Sequence, residues 1–128
     1  MRFLIALLVI GVAGAAQASP CEGKLPAPGT TFGGEVRYVI DGDGFCVSDS
    51  PDQKTWIGVR AADFNARELT KPGGPQARDA LVEVALGQPA VCVAGRKSRS
   101  RTIASCTIAS KSIGDLMAEK GIPEGGSR

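Results

Sequence analysis

A turn of the form Asp-Gly-Asp-Gly, placed between two short apolar stretches, is the feature that most limits how this chain can fold. The residues before the turn alternate in character and put Val36, Tyr38 and Ile40 on one face, which is the pattern of a β-strand. Residues 45–48 alternate again after the turn at residues 41–44, and aspartate and glycine favour tight hairpin turns. The sequence therefore predicts a β-hairpin whose tip carries two carboxylates.

A second polar segment follows the next predicted strand. Residues 54–62 alternate, so that Ile57 and Val59 face the core while Arg60 points away from it. This strand runs directly into residues 63–68, with the sequence DFNARE. Two strand ends that carry carboxylates, an amide and arginines predict one polar site, because functional side chains are concentrated on loops held by a rigid scaffold.

The remaining pattern predicts a small barrel. Pro75 suits the first turn of a helix, and apolar residues then recur at helical spacing. Residues 90–94 and 102–108 are two further strand candidates, a short helix begins after Ser112, and residues 123–128 are expected to be loose. Five short strands with two short helices predict a mainly β fold of the α+β kind, a five-stranded Greek-key barrel of the OB type.

The first eighteen residues have the character of a secretory signal peptide. Arg2 gives a positive start, residues 3–16 are almost wholly apolar, and residues 16–18 form an A-x-A cleavage site. The apolar run is shorter than the roughly 20 residues that a membrane-spanning helix needs, which favours cleavage over an uncleaved anchor. We therefore expect residues 1–18 to be removed and residues 19–128 to form one periplasmic or secreted domain, a monomer without stable membrane association.

Four cysteines follow the leader. An even number behind an export signal predicts two disulfides, for which three connectivities are possible. Cys92 and Cys106 lie on apolar segments joined by a basic turn, so a hairpin would place them side by side, and Cys21 is then left to pair with Cys46, on the outer side of its strand. A zinc site is disfavoured because the chain has no histidine and no C-x-x-C.

Net charge says little about partners, but one turn is strongly basic. The formal charge is +2, and removing the leader takes away Arg2 and no acid, which leaves +1. Residues 96–101 hold four cations in six positions. Such a run is either a phosphate-binding segment or a solvated turn, and Arg96, Lys97 and Arg99 are the candidate nucleic-acid-binding residues.

Three segments stand in the order of a known family signature. Residues 39–44 are VIDGDG, residues 59–68 are VRAADFNARE, and residues 99–101 are RSR. The corresponding family segments are V-x-D-G-D-T, V-R-L-x-x-I-D-A-P-E and an arginine in Y-G-R, so the chain resembles the staphylococcal-nuclease-like (thermonuclease) family over about residues 33–122. The resemblance implies a barrel of that family's OB type and calcium-dependent cleavage of DNA and RNA.

The resemblance also implies a calcium site. Asp43 would be a calcium ligand, and the backbone carbonyl of Ala66 would supply a second oxygen. Asp41 would support these ligands without binding the ion directly. Asn65 stands where the family has a second aspartate ligand. Asparagine keeps an oxygen donor but lacks the charge, so reduced calcium affinity is expected rather than lost function.

The same resemblance assigns the catalytic roles. Glu68 matches the glutamate that activates the attacking water, and Arg60 and Arg101 match the two arginines that hold the scissile phosphate. The chemistry is consistent with this, because phosphodiester hydrolysis needs a proton acceptor for the water and positive charge around the transition state. Gly44 replaces the threonine of the family signature, and Arg67 replaces its proline.

Simpler interpretations remain open at each position. Asp41 and Asp43 are also ordinary turn formers, Arg60 an ordinary strand arginine, and Glu68 a surface acid. An exported metal-dependent nuclease is the leading hypothesis, and the alternative is a non-catalytic OB module that binds nucleic acid or protein around a decayed metal site. A disulfide-stapled protein-binding domain has no positive sequence feature. The presence of Glu68 favours the enzyme, since a binding module has no use for a general base.

Overall fold

A computed structural model describes residues 19–125, so the predicted signal peptide lies outside the described residues. Within this range the chain forms seven strands, two α-helices and a short 3-10 helix. In chain order these are β1 (Thr31–Asp41), β2 (Gly44–Ser48), the 3-10 helix (Gln53–Thr55), β3 (Ile57–Ala61), α1 (Gly74–Ala85), β4 (Pro89–Val93), β5 (Lys97–Ser98), β6 (Arg101–Ile108), β7 (Lys111–Ser112) and α2 (Ile113–Glu119).

The five longer strands close into a barrel. They follow one another in the order β3-β2-β1-β4-β6, and β3 then pairs with β6. That closing pair is parallel, with Val59 opposite Thr102 and Ala61 opposite Ala104, whereas the other pairs are antiparallel. The two-residue strands β5 and β7 pair with the first and the last residues of β6, respectively. The predicted fold class is therefore confirmed as a closed, mainly β barrel of the OB kind with two short helices.

Apolar side chains from the strands and both helices fill the interior, and the largest fully buried ones are Phe45, Leu81, Ile113 and Met117. Helix α1 packs against β1 and against the turn that follows it. An added Cβ at Gly42, in that turn, would lie 2.6 Å from the Cβ atoms of both Ala66 and Ala77, a distance that real Cβ atoms do not reach. Close packing at Gly42 therefore holds the aspartate turn against α1 and the loop after β3.

The N-terminal half of β1 departs from simple alternation. Its register with β2 shifts between Val36 and Tyr38, as at a β-bulge, which places one extra residue on β1. Val36 and Val39 are consequently buried, whereas Tyr38 is 43% exposed. The prediction that Val36, Tyr38 and Ile40 lie on one face is therefore wrong, because the bulge reverses the alternation beyond Val36.

Strand β3 is shorter than the sequence pattern predicted. Gln53–Thr55 form a 3-10 turn, and the carboxylate of Asp52 caps it by accepting a hydrogen bond from the Lys54 amide at 3.1 Å. The local hydrogen bond competes with strand pairing, as Asp, Ser and Thr side chains commonly do. The strand begins only at Ile57, and residues 54–56 are not part of it.

Both predicted disulfides are confirmed. Cys92 and Cys106 face each other directly across β4 and β6, and Cys21 is joined to Cys46 over a Cα–Cα distance of 5.5 Å. Cys46 is fully buried although it is not part of the barrel core, because Cys21, to which it is joined, is itself buried. Two disulfides are typical of an oxidising, extracellular environment. No helix in residues 19–125 is long and apolar enough to cross a membrane.

Candidate functional site

The polar strand ends meet in one open cleft of about 380 Å³, which we call the first cleft. Its lining residues come from the turn after β1, from β3 and the loop after it, and from the β5–β6 hairpin: Asp41, Asp43, Arg60, Glu68, Ser98, Arg99 and Arg101. Six of these seven were candidates from the sequence, and Ser98 is the addition. The cleft therefore brings together three carboxylates, one of which is the predicted proton acceptor Glu68, and three guanidinium groups.

Strand pairing explains why the arginines converge. Gly44, at the start of β2, pairs with Arg60 on β3, so the arginine lies beside the aspartate turn. The closing parallel pair then puts Ile103 of β6 opposite Arg60, and Arg101 lies two residues before Ile103 on the same strand. Two neighbouring parallel strands thus deliver Arg60 and Arg101 into the same cleft.

Gly44 provides the space that Arg101 occupies. An added Cβ at Gly44 would lie 2.8 Å from the Nη1 atom of Arg101 and 2.8 Å from the Oδ1 atom of Asp41. A residue with a Cβ at this position would have to displace the ends of both side chains. Gly44 therefore allows the guanidinium group of Arg101 to approach the turn closely.

Asp43 is the most buried carboxylate of the cleft, with 6% of its surface exposed. Its amide donates a hydrogen bond to Asp41 Oδ1 at 3.2 Å, and its own Oδ2 accepts one from the Ala66 amide at 2.9 Å. Burial raises the pKa of Asp43 to about 6, helped by the hydrogen bond and negative charge of Asp41 and opposed by the Ala66 amide and Arg60. The ionised form is therefore held in an unfavourable environment that a nearby cation would improve.

The loop after β3 holds the other predicted ligand candidates. Asn65 Oδ1 accepts a hydrogen bond from Arg60 Nη2 at 3.0 Å, so its amide oxygen is engaged with the arginine. Ala66 is buried and contacts Asp43 through its amide N–H. Neither Asn65 nor Ala66 is among the residues that line the first cleft.

The oxygen atoms of Asp41 and Asp43 suit a cation that keeps part of its water shell better than one enclosed by protein ligands alone. Residues 19–125 contain no group of three or more His, Cys, Asp or Glu side chains that could hold a metal ion. Asp41 and Asp43 together offer two carboxylates at an open cleft, and hard divalent cations accept one or two carboxylates and complete their shell with water. The pair thus fits a weakly held divalent cation.

The basic turn divides into two groups. Arg99 and Arg101 line the first cleft, whereas Arg96 and Lys97 are exposed and do not. Ser98 of β5 pairs with Arg101 of β6, so residues 99–100 form the tip of this hairpin. Ser98 and Arg101 line the first cleft together with Arg99 of the tip. Of the residues predicted to bind nucleic acid in this turn, the structure brings only Arg99 to the first cleft.

The C-terminal segment contacts the loop after β3, which carries Asn65. No pattern in the sequence indicated this contact. The Gly125 amide donates a hydrogen bond to the backbone carbonyl of Asn65 at 3.0 Å, and an added Cβ at Gly125 would lie 2.8 Å from Arg67 Cγ. Residues 123–125 of the predicted loose tail have no regular secondary structure and make this contact at Gly125, and residues 126–128 lie outside the described residues. Arg67 packs along this segment and does not line the first cleft.

Comparison of the sequence with protein-family models finds no matching model. Comparison with curated proteins finds no match either. The functional assignment therefore depends on the residues of the first cleft, on the contacts that hold them, and on the resemblance carried by the three sequence segments described above.

Proposed function

We propose that this protein is an exported, metal-dependent nuclease that hydrolyses phosphodiester bonds of DNA or RNA, similar in chemistry to the thermonucleases. The observation that carries the proposal is the composition of the first cleft, where Asp41, Asp43, Glu68, Arg60 and Arg101 share one opening of about 380 Å³. A phosphodiester needs positive charge on its oxygens and a base for the attacking water, and both are available within that space.

The arginines would bind the scissile phosphate. Arg60 and Arg101 are both half-buried, which limits the water that competes for their N–H groups. A guanidinium group forms paired hydrogen bonds with phosphate oxygens, and two of them from neighbouring strands would hold the group in a fixed orientation. Their charge would also stabilise the negative charge that develops on the phosphate oxygens in the transition state.

Glu68 would act as the general base. Its side chain is exposed at the rim of the first cleft, on the loop that carries Asn65 and Ala66. A carboxylate at this place can accept the proton of a water molecule that attacks a phosphate held by the arginines. Because the carboxylate is open to solvent, it can release the proton again after each reaction.

Asp43 and Asp41 are the residues that would hold the divalent cation, with calcium expected from the resemblance. Asn65 and the carbonyl of Ala66 lie on the loop that Asp43 contacts and could contribute oxygens after a local rearrangement. A bound cation would supply positive charge to the phosphate oxygens. A bound cation would also offset the burial and the neighbouring charge of Asp41, which together raise the pKa of Asp43.

Export is part of the proposal. The apolar leader ends at residue 18, and the described chain carries two disulfides, which form in oxidising compartments. The substrate would then be DNA or RNA met in the periplasm or outside the cell. A monomer is sufficient for this chemistry, because every residue invoked belongs to one chain.

A second candidate function is a non-catalytic OB module that binds nucleic acid through the same arginines. The observation in its favour is that Asn65 directs its amide oxygen to Arg60 and carries no charge. Such a module would bind DNA or RNA without cutting it, with or without calcium. The experiment below distinguishes the two functions.

Restoring a carboxylate at position 65 should strengthen metal use. Asn65→Asp places a carboxylate on the loop that Asp43 contacts, where it can reach the ion after the local rearrangement proposed above. Because ligand charge is one of the factors that set calcium affinity, the calcium concentration at half-maximal cleavage of a single-stranded oligonucleotide should fall by about tenfold. Cleavage should depend on calcium in the wild type and in the variant. Absence of cleavage at every calcium concentration in both proteins would favour the binding module, and an unchanged midpoint would exclude Asn65 from the metal site.

A further inference from the structure

Residues 19–23 run beside β3 and are tied to the barrel at two points. The Gly23 amide donates a hydrogen bond to the Trp56 carbonyl at 2.7 Å, and Cys21 forms a disulfide with Cys46 of β2. Only 5% of the surface of Cys21 is exposed, so this residue is packed against the barrel and does not lie in solvent. The covalent tie therefore fixes the segment on the strand that follows the aspartate turn.

The side chain of Arg101 lies across the outer face of β2 and β3. Gly44 pairs with Arg60 and Cys46 pairs with Gly58, and because opposite residues share a face of the sheet, these four residues point the same way. An added Cβ at Gly58 would lie 3.1 Å from Arg101 Cγ, and one at Gly44 would lie 2.8 Å from Arg101 Nη1. The arginine therefore runs over the two glycines, from Gly58 toward Gly44.

The Cys21–Cys46 disulfide fills the space behind this arginine. The same added Cβ at Gly58 would lie 3.3 Å from Cys21 Cβ, so Cys21 and the aliphatic part of Arg101 share the space above one glycine. None of the ion pairs among residues 19–125 includes Arg101, so packing sets the direction of its side chain. Loss of the disulfide would open this space and leave a long, flexible side chain with more rotamers.

We propose that the Cys21–Cys46 disulfide positions Arg101, holding its guanidinium group toward the first cleft for phosphate binding. The inference rests on the proposed function, in which Arg101 binds the scissile phosphate. When the bond forms, the two thiols lose two electrons and two protons, and a disulfide-carrying protein of the oxidising compartment accepts them by exchange and becomes a dithiol. The protein therefore reaches full affinity for nucleic acid only after export, and its reduced form binds nucleic acid weakly.

Side-chain NMR of the ligand-free protein in chelator tests the inference without relying on activity. The Nε–H signal of Arg101 is assigned by its loss in Arg101→Lys. In the wild type its hydrogen exchange with water should be slower than that of Arg96, which is exposed. In the variant that combines Cys21→Ala with Cys46→Ala, the exchange rate of Arg101 should rise to that of Arg96.

A double-mutant cycle measures whether the disulfide acts through Arg101, with a thymidine pentanucleotide in chelator as the probe. Removing the Cys21–Cys46 disulfide should weaken binding by about fivefold, since ordering one long side chain on binding costs about a two- to tenfold loss of affinity. Arg101→Ala should weaken binding by about tenfold, as expected for a lost charged hydrogen bond. In the Arg101→Ala background, loss of the disulfide should change affinity by less than about twofold.

The other disulfide provides a matched control. Cys92 and Cys106 do not line the first cleft, so Cys92→Ala with Cys106→Ala removes a disulfide at a distance from Arg101. This control should keep the Arg101 exchange rate and the pentanucleotide affinity of the wild type. Sucrose is added to every sample because it favours the folded state, and circular dichroism checks that each variant is folded.

Gly58→Ala tests the same space with both disulfides present. Its methyl group would enter the volume that Cys21 and Arg101 share, so the arginine has to move. Pentanucleotide binding should weaken in the wild-type background and should stay within about twofold in the Arg101→Ala background, because the effect again acts through Arg101. This variant therefore tests the positioning role even where loss of the disulfide prevents folding.

Additive losses in the cycle, or an unchanged Arg101 exchange rate without the disulfide, would overturn the inference, because the disulfide would then only stabilise the fold. A wild type that does not bind the pentanucleotide would refute the phosphate site and overturn the inference with it. Nuclease activity is judged separately by adding calcium to the same samples. Non-additive losses without cleavage would refute the nuclease and retain the positioning role, and cleavage with additive losses would do the reverse.

Discussion

Replacing Glu68 with glutamine is expected to lower the rate of phosphodiester cleavage by about 10²- to 10⁴-fold, the usual contribution of a positioned general base. Glutamine has nearly the same size and shape, but it cannot accept the proton of the attacking water. The side chain is exposed, so the substitution should leave folding unchanged. Nucleic-acid binding should also stay within about twofold, because the arginines that carry it are untouched.

The measurement compares single-turnover cleavage of an oligonucleotide with its affinity in chelator, for the wild type and Glu68→Gln. Glu22→Gln is a matched control, since Glu22 is exposed and does not line the first cleft. That control should cleave like the wild type. A parallel loss of rate and affinity in Glu68→Gln would mean that Glu68 supports the structure of the loop and does not take the proton.

Asp43→Asn should abolish metal-dependent cleavage and, at the same time, stabilise the metal-free protein above pH 6. The folded-state pKa of Asp43 is raised from 3.8 to about 6, so between these pH values the folded protein binds more protons than the unfolded chain. Stability contributed by the protonated form is present below about pH 4 and is lost as the pH rises through 6. Asparagine resembles the protonated carboxyl group and keeps that stability at every pH.

Chemical denaturation in chelator at pH 4 and pH 8 measures this effect. The free energy of unfolding of Asp43→Asn should exceed that of the wild type by about 2–3 kcal/mol at pH 8, since one pKa unit corresponds to about 1.4 kcal/mol, and by little at pH 4. Asp79→Asn, which changes an exposed carboxylate on α1, should show no such difference. A destabilised Asp43→Asn at pH 8 would mean that the ionised carboxylate holds the turn together.

The parts of the fold that were predictable from the sequence depend on local patterns. The Asp-Gly turn, the helical spacing after Pro75 and the N-cap at Ser112, which accepts a hydrogen bond from the Asp115 amide at 3.1 Å, are all short-range signals. The pairing of Cys92 with Cys106 followed from the same reasoning, because both lie on adjacent strands of one hairpin-like unit. Such signals do not require knowledge of the tertiary structure.

The features that the sequence did not reveal depend on contacts between distant parts of the chain or on small backbone shifts. The bulge that exposes Tyr38 changes alternation by a single residue and leaves the composition of the strand unaltered. The hydrogen bond between Gly125 and Asn65 joins residues far apart in sequence. The space beside Gly44 that Arg101 fills depends on the closing of the barrel, in which β3 pairs with the distant strand β6.

In the proposed reaction, the carboxylates and guanidinium groups of the first cleft hydrolyse phosphodiester bonds with the help of a divalent cation. Nicking of supercoiled plasmid by the purified, oxidised protein tests it most directly, followed by gel electrophoresis across a calcium titration and again after chelation. We expect nicked and then linear DNA to accumulate when calcium is present. Addition of the chelator should stop this accumulation. Plasmid that stays supercoiled at every calcium concentration, with DNA still bound to the protein, would contradict it.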